Sequence, residues 1–597
     1  LTGFIAEHAH PYDAAKDTYR RAPFAQPTKA GKNTAIYNAH SYHTKVPPQG
    51  IVPYIEHYTE PGDLVLDPFC GSGMTGVAAL MTGRHAILND LSPAAVHIAR
   101  NYCTPVDVAA LRAEFERIKA AVKDEFDWLY GTTCDRCDGT ATIQYTIWSD
   151  VFECGRCGAE LVLWDIAVDG ESGKVRENFQ CATCGASWRK PQLRWLKSVP
   201  VVTNYECARC KPKRAQHAVT ETEKSRVAQI QAKSIPYWFP TTSFLEQDWE
   251  MWRGVHRDQG ITDVSRFYTS RNLTALATLW SRVDSSVRPS LRAALRFALT
   301  GIMDRASIRY RWNASRPTGV MSGTLYVPSI SYEFNAQEMF ARKLEAIIAA
   351  QADLSATAHG EVATHVGSAM DLADILTQTV DYIFTDPPFG SNIFYADCNL
   401  IWEAWLNEGF TDQSQEAVVH LKHRQRNTLP DYARLMTDSF REMFRVLKPG
   451  RWASVVFHNS DDRIWETILD ATRAAGFEMA EINAFDKEQL SFKGIRGQKG
   501  LERVTNKDIV LNLRKPKPGE NAATNGKSYA DEAEKQVVES IASFLDTDPD
   551  PRDRTLQGLW NHALFNMLHE GSVQISMSQV GEMLPHYFKE VDGRWYL

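Results

Sequence analysis

The chain has 597 residues, too many for one hydrophobic core, so two to four domains are expected. Hydrophobic residues at 44% and charged residues at 23% describe an ordinary globular protein. The net charge of −7 excludes a chain that is basic throughout, so any contact with nucleic acid has to rest on locally concentrated cations.

No apolar run reaches the length of a membrane span, and the N-terminal "LTGFIAEHAH" lacks a signal-peptide layout, which predicts a cytoplasmic location and no membrane partner. From Asp63 to Arg100 the pattern reads strand, glycine-rich loop, helix, strand, helix. "DLVLD" is a short buried strand, "MTGVAALMTG" a helix and "HAILND" a second strand ending at Asp90, after which "SPAAVHIARNY" forms a helix capped by Ser92. Strands alternating with helices predict a doubly wound parallel sheet with ligands at the carboxyl ends of its strands. Gly71 and Gly73 permit close backbone approach, and with Gly76 they nominally complete GxGxxG, whereas the GK[ST] ending of a phosphate-binding P-loop is absent. Asp90 is placed to accept hydrogen bonds from ribose hydroxyls. This region alone fits a nicotinamide dinucleotide and S-adenosylmethionine equally.

The alternation then stops. Eight of the eleven cysteines fall in four CxxC pairs: Cys134/Cys137, Cys154/Cys157, Cys181/Cys184 and Cys207/Cys210. Two such turns complete a tetrahedral thiolate site, so two structural zinc ions are expected, with pairing in sequence order the simplest arrangement and interleaved pairing open. Disulfides would need an oxidising compartment for which there is no signal. From Arg189 to Lys233 the cations Arg189, Lys190, Arg194, Lys197, Arg209, Lys211, Lys213, Arg214, Lys224, Arg226 and Lys233 outnumber the acids Glu206, Glu221 and Glu223. That suits phosphate contact, or else a solvated face around a structural metal. A helical, aromatic-rich stretch follows to about residue 358. Within it "YWFP" (237–240) reads as core, and "DRASIRYRWNASRP" interleaves Arg305, Arg309, Arg311 and Arg316 with Tyr310 and Trp312, either to grip a nucleic-acid backbone or to pack a helix.

The sheet pattern resumes with "VDYIFTDPPFG" (380–390), a strand running into a proline-rich loop. "FREMFRVLKPG" reads as a helix and stop, "RWASVVFH" as a strand, and "FEMAEINAFD" and "DIVLNLRK" as a closing antiparallel pair. "KPKPGENAATNGKS" has linker composition, and the tail from about 528 is acidic and mostly helical.

Taken together, these motifs resemble those of the DNA amino-methyltransferases. "TDPPFG" is similar to their [DNS]PP[YF] motif, "DPFCGSG" to their FxGxG cofactor loop and "NDLSP" to their acidic ribose-binding motif. "YHTKVPP" is similar to the element ahead of that loop, and "GSAMDLADIL" to the segment near the cofactor's adenine. The resemblance covers about residues 38–104 and 362–514. It implies S-adenosylmethionine as cofactor, held by Thr44, Lys45, Asp67, Pro68, Phe69, Gly71, Gly73, Asp90 and Asp371, and a catalytic loop of Asp386, Pro387, Pro388 and Phe389. The order of parts resembles the family's alpha group, whereas the upstream element is more like that of its beta group.

The residue types suit the implied chemistry. An exocyclic amine is a poor nucleophile because its lone pair is delocalised into the ring. The Asp386 carboxylate and the Pro387 carbonyl can accept its two N–H groups and turn the lone pair toward a sulfonium methyl, while Phe389 stacks on a base flipped out of double-stranded DNA. No Pro-Cys nucleophile suited to cytosine-C5 chemistry is present, and Cys70 reads as a small packing residue. An aspartate at the first position goes with adenine N6 in the family. Cytosine N4, an RNA base, or a non-catalytic DNA-binding role are the alternatives.

The expected division is 1–104 for the cofactor-loop part, 105–250 for the zinc insert and 251–361 for a helical candidate for target recognition. Residues 362–515 form the catalytic-loop part, and 516–597 the linker and tail. The resemblance also suggests a bacterial modification or phage-defence setting, with separate restriction or defence subunits as partners.

Overall fold

The computed structural model of the chain describes residues 1–26, 28–170, 172–245, 249–314, 319–356, 358–420, 427–459, 461–486, 507–520, 530–549, 551, 553–569, 575 and 577–597. Its centre is a sheet of eight strands: β1 (Thr28–Lys29), β2 (Leu64–Asp67), β3 (His85–Asp90), β4 (Val362–Val366), β5 (Val380–Thr385), β6 (Leu447–Phe457), β7 (Glu478–Asp486) and β8 (Lys507–Arg514). They lie in the order β1-β7-β8-β6-β5-β2-β3-β4, and every pairing is parallel except those of β8, which runs antiparallel to both β6 and β7. The expected doubly wound sheet with an antiparallel closing pair is therefore what the chain forms.

Strand alternation decides the two faces. Val65, Leu88, Tyr382, Phe384, Trp452 and Val456 point to one side, where helices Pro48–Tyr58, Met74–Met81 and Pro93–Cys103 pack. Leu64, Leu66, Ile87, Ile383, Val455 and Leu511 point to the other, beneath helices Leu429–Val446 and Asp462–Ala475. The expected stop at "LKPG" is instead the start of β6. Strand β5 pairs Val380 with Leu447 and then Tyr382 with Trp452, so Lys448–Arg451 bulge without ending the strand.

Everything from the end of helix Pro93–Cys103 to β4 is inserted between two neighbouring strands. Its first part is a long antiparallel ribbon, Thr140–Glu153 against Arg194–Glu206, widened by Arg214–Ala218 on one side and Ile330–Phe334 on the other. Its second part, helices Ser270–Asp284, Pro289–Met303 and Ala336–Ser355, shares the apolar cluster on the first face of the sheet. A buried polar seam joins the two: Arg271 pairs with Glu333 at 2.8 Å, Trp148 Nε1 donates to the same carboxylate at 3.0 Å, and Tyr130 donates to Asn272 at 2.7 Å.

After β8, helices Ala530–Asp546, Leu556–His569 and Met577–Tyr587 lay Val537, Leu559, Trp560 and Val580 into the cluster on the second face. No helix among the described residues is long and apolar enough to cross a membrane.

Candidate active site

The carboxyl ends of β2, β3 and β5 open into one cleft of about 940 Å³, including its mouth. Thr44, Lys45, Asp67, Pro68, Phe69, Gly71, Asp90, Asp386 and Pro388 all line it, although they come from three distant stretches of sequence. Tyr42, Leu91, Ser368, Ala369 and Met370 line it as well, from inside the motifs although not singled out there, and so do Tyr395, Thr411 and Glu416, of which the motifs gave no sign. Gly73, Pro387 and Phe389 adjoin lining residues in the chain but are not themselves part of the lining. Asp371 stands exposed one residue past Met370, where its carboxylate accepts from the amide of Ala373 at 3.2 Å.

Two glycines shape the loop from beneath. Gly71 has φ +49° and Gly73 φ +79°, both in the left-handed region. A Cβ on Gly73 would lie 2.6 Å from Cβ of Ala99, so that glycine lets helix Pro93–Cys103 press against the loop. The loop is then tied to β3 through Asp90, whose two carboxylate oxygens accept from the amides of Gly71 at 2.8 Å and Ser92 at 2.9 Å. Ser92 in turn caps its helix as expected, accepting from Ala95.

The electrostatics of the cleft are acidic. Asp67 is buried and accepts from Thr75 Oγ1 at 2.6 Å and Thr385 Oγ1 at 2.8 Å; burial pushes its carboxyl up to about 7. Burial likewise raises Asp90 to about 6, against the pull of the amides it accepts from. Lys45 is the one lysine in the lining among the described residues. Its Nζ is turned onto the backbone carbonyls of His40 (2.8 Å) and Tyr37 and lies 4.2 Å from the Tyr37 ring centroid, and burial lowers it to about 7. Asp67, Asp90, Asp386 and Glu416 thus face a cavity whose lysine is already engaged.

That distribution separates the two cofactors left open by the glycine loop. A dinucleotide brings a pyrophosphate, which needs free amides or cations, but the Gly71 amide is taken by Asp90, and the carboxyls of Asp67, Asp90 and Asp386 offer it neither. A sulfonium with a ribose diol and an adenine fits the same donor set: carboxylates for the positive charge and hydroxyls, and Leu91, Phe69 and Met370 for the ring.

At the catalytic loop, the Pro388 carbonyl accepts from Tyr432 Oη at 2.8 Å and the Phe389 carbonyl from Asn459 Nδ2 at 2.8 Å. Among the described residues the Pro387 carbonyl has no hydrogen-bond partner. Phe389 is half-buried, edge-on to Phe457 with ring centroids 5.1 Å apart. Tyr395 lies beside this loop. Burial and the charge of Asp386 push its phenol up, and its hydroxyl is 3.1 Å from Thr44 Oγ1.

The cysteines form two tetrads, but not in sequence order. Cys134 and Cys137 meet Cys207 and Cys210, and Cys154 and Cys157 meet Cys181 and Cys184. The expectation of consecutive pairing is corrected by the ribbon itself: its antiparallel strands bring the first pair beside the fourth at one end and the second beside the third at the other. Within each tetrad Sγ atoms from facing turns lie 3.7 Å apart. Four thiolates at about 2.3 Å from a zinc ion sit about 3.8 Å from one another, so both sets fit zinc, each with four ligands and none to spare.

Four of the eleven local cations are paired within the insert. Arg194 pairs with Glu153, Lys197 with Glu160, Arg214 with Glu206 and Lys224 with Glu221. Arg209, Lys211 and Lys213, on the knuckle of the first tetrad, are exposed and make no ion pair among the described residues. Of the second basic stretch, Arg309 is buried against Asp304 at 2.7 Å and Tyr310 packs on Tyr332 and Phe334, so these belong to the core, while Arg316 lies outside the described residues. In "YWFP" Tyr237 and Phe239 pack as expected, but Trp238 is 48% exposed and meets Trp405 edge-on.

Parts of the chain are similar to known proteins. Residues 10–101 match the sequence model of a DNA methylase family. A candidate methylase of Escherichia coli (strain K12), YubD, is 48% identical over 52 residues, 8% of this chain, which spans under a quarter (23%) of that relative's length. Among solved structures, a candidate DNA modification methylase of Thermus thermophilus is 18% identical, covering 29% of this chain and 61% of that one with a TM-score of 0.15. The [4+2]-cyclase SpnF is 18% identical, covering 30% and 63%, with a TM-score of 0.17. The family match falls on the glycine-loop side of the cleft rather than on the insert, and over those residues the chain is similar to the DNA methylases.

Proposed function

We propose that the chain transfers a methyl group from S-adenosylmethionine to an exocyclic amine of a base in double-stranded DNA, adenine N6 ahead of cytosine N4. The observation that carries this reading is the acidic cleft in which Asp386 shares one lining with the Gly71 loop and Asp90. When bound, the cofactor supplies an electrophilic methyl on a sulfonium. Asp90 would hold its ribose, Leu91 and Met370 its adenine, and Thr44 and Phe69 the remainder, with Asp371 flanking the adenine side from outside the lining.

The chain's own part is to orient the amine and exclude water. Asp386 accepts one amine N–H and the Pro387 carbonyl the other. Tyr432 and Asn459 support this assignment, because they occupy the two carbonyls that follow and leave that of Pro387 for substrate. Phe389 stacks on the base. The adenine preference rests on the aspartate that opens the loop.

The insert, 105–361, is the part we assign to DNA contact, with two zinc ions bracing the ribbon and Arg209, Lys211 and Lys213 on its exposed knuckle meeting phosphates. A bacterial modification or defence setting with separate subunits is part of the same proposal.

The test is methyl transfer from labelled S-adenosylmethionine to duplex DNA, single-stranded DNA and RNA, with the product digested to nucleosides. N6-methyladenine in duplex DNA is the expected product. Asp386→Ala should lower kcat by about 10²–10³-fold or more while cofactor binding stays unchanged. Label confined to RNA, or an Asp386→Ala chain as active as wild type, would defeat the reading.

A further inference from the structure

One buried polar atom in the cleft has no role in the chemistry above. Glu416 is 4% exposed, and its Oε1 accepts from the amides of Tyr395 at 2.6 Å and Ala396 at 3.1 Å, which open helix Tyr395–Leu406. Its Oε2 is buried and has no hydrogen-bond partner among the described residues. Buried polar atoms are almost always paired, so an orphan on the wall of a ligand cleft points to a partner that the ligand brings. Glu416 lines the same cleft as Asp386, and it holds the backbone of Tyr395, whose hydroxyl is 3.1 Å from Thr44 Oγ1 in that lining.

Resting on the methyltransferase reading, we propose that Glu416 is a specificity-determining residue whose Oε2 donates a hydrogen bond to the ring nitrogen beside the reactive amine of the target base. Adenine presents N1 beside its N6 amine and cytosine N3 beside its N4 amine, and both are acceptors. Guanine and thymine carry an N–H at the corresponding ring position and would meet the donor head-on. One carboxyl therefore admits the two bases this family modifies and refuses the other two.

Donation requires the neutral acid, and the surroundings favour it. Burial first, and then the charges of Asp397 and Glu403, push Glu416 up to about 8 against the pull of the two amides. Other charged groups near this element are Asp90, which acts on Glu403, and the Arg309–Asp304 pair and Glu416 itself, which act on Cys398. His420, paired with Glu250, lies on the same segment as Glu416. Because Oε1 accepts from two amides, the proton belongs on Oε2.

The experiment measures kcat/KM for duplex DNA from pH 6.5 to 9.5 with the full chain, Glu416→Gln and Glu416→Ala. Glutamine keeps the Oε1 acceptor and places an amide donor where Oε2 stood. Wild-type activity should fall about tenfold per pH unit above 8 as the donor ionises, and Glu416→Gln should lack that decline. Glu416→Ala should lose about 10- to 100-fold with cofactor affinity unchanged. DNA with 1-deaza-adenine or 3-deaza-cytosine at the target should show the same loss with wild type and no further loss with Glu416→Ala.

An alkaline decline unchanged in Glu416→Gln, or a deaza penalty that adds fully to that of Glu416→Ala, overturns the proposal. If the alanine chain does not fold, the glutamine profile and the deaza substrates with wild type decide. Absence of transfer by the wild-type chain would instead defeat the methyltransferase reading, and this inference with it.

Discussion

Asp67, Asp90 and Glu403 show how much a side chain's surroundings add to its place in a motif. Burial raises them to about 7, 6 and 7, against an ordinary carboxylate value near 4. Between roughly pH 4 and 7 an unfolded chain has released protons that the folded chain still holds, so stability falls as pH rises through that window and levels off above it. Thermal melting of the chain without added cofactor from pH 5 to pH 8 should show the decline, and Asp67→Asn should reduce it. A melting temperature that climbs over that range would contradict the assignment. Asp67 and Asp90 were legible because each ends an apolar strand beside a glycine loop. Glu416 was not, since "DQSQEAVVH" has no period or motif that marks its fifth residue, and only the fold carries it to the cleft.

At the scale of elements, the sheet strands were readable because each is a short apolar run bounded by Gly, Pro or Asp, and the bulged start of β6 was missed because "LKPG" looks like punctuation. The cysteine pairing follows from the ribbon. Replacing Cys137 or Cys210 by serine should each remove the same one of two zinc ions, and replacing both should remove no more than one. Cys157 and Cys184 should behave likewise toward the other ion. Zinc-to-protein stoichiometry in the single and double variants checks this. Consecutive pairing would instead make the Cys137, Cys210 double variant lose both ions. The preference for nested pairing lies in the register Thr142↔Glu206 to Glu153↔Arg194, and CxxC spacing alone is blind to register.

For the whole molecule, the tail is part of the body. Trp560 and Leu559 are fully buried in the same apolar cluster as Phe457, Val455 and Leu511 of the sheet, so the segment read as a linker and acidic tail closes one face of the central sheet. Ending the chain after Lys515 should uncover that face, lower the melting temperature and promote aggregation, and Trp560→Ala should cost about 3–5 kcal/mol. Denaturant unfolding of both variants measures the effect; a truncated chain as stable as the full one would show the tail to be an independent unit.

The sequence by itself determined the alternation of strands and helices, the glycine loop, the DPPF loop and eight paired cysteines, because local turns and buried strands are written in neighbouring residues. Tertiary structure decided what those pieces are for. The folded chain brings Thr44, Asp90 and Asp386 from three separate stretches into one cleft and ties the Lys45 ammonium to the backbone carbonyls of Tyr37 and His40. It nests the cysteine pairs, first with fourth at one end of the ribbon and second with third at the other, and sets Glu416 in the cleft wall. Each of these depends on which residues far apart in the chain are pressed together, and no local period records that.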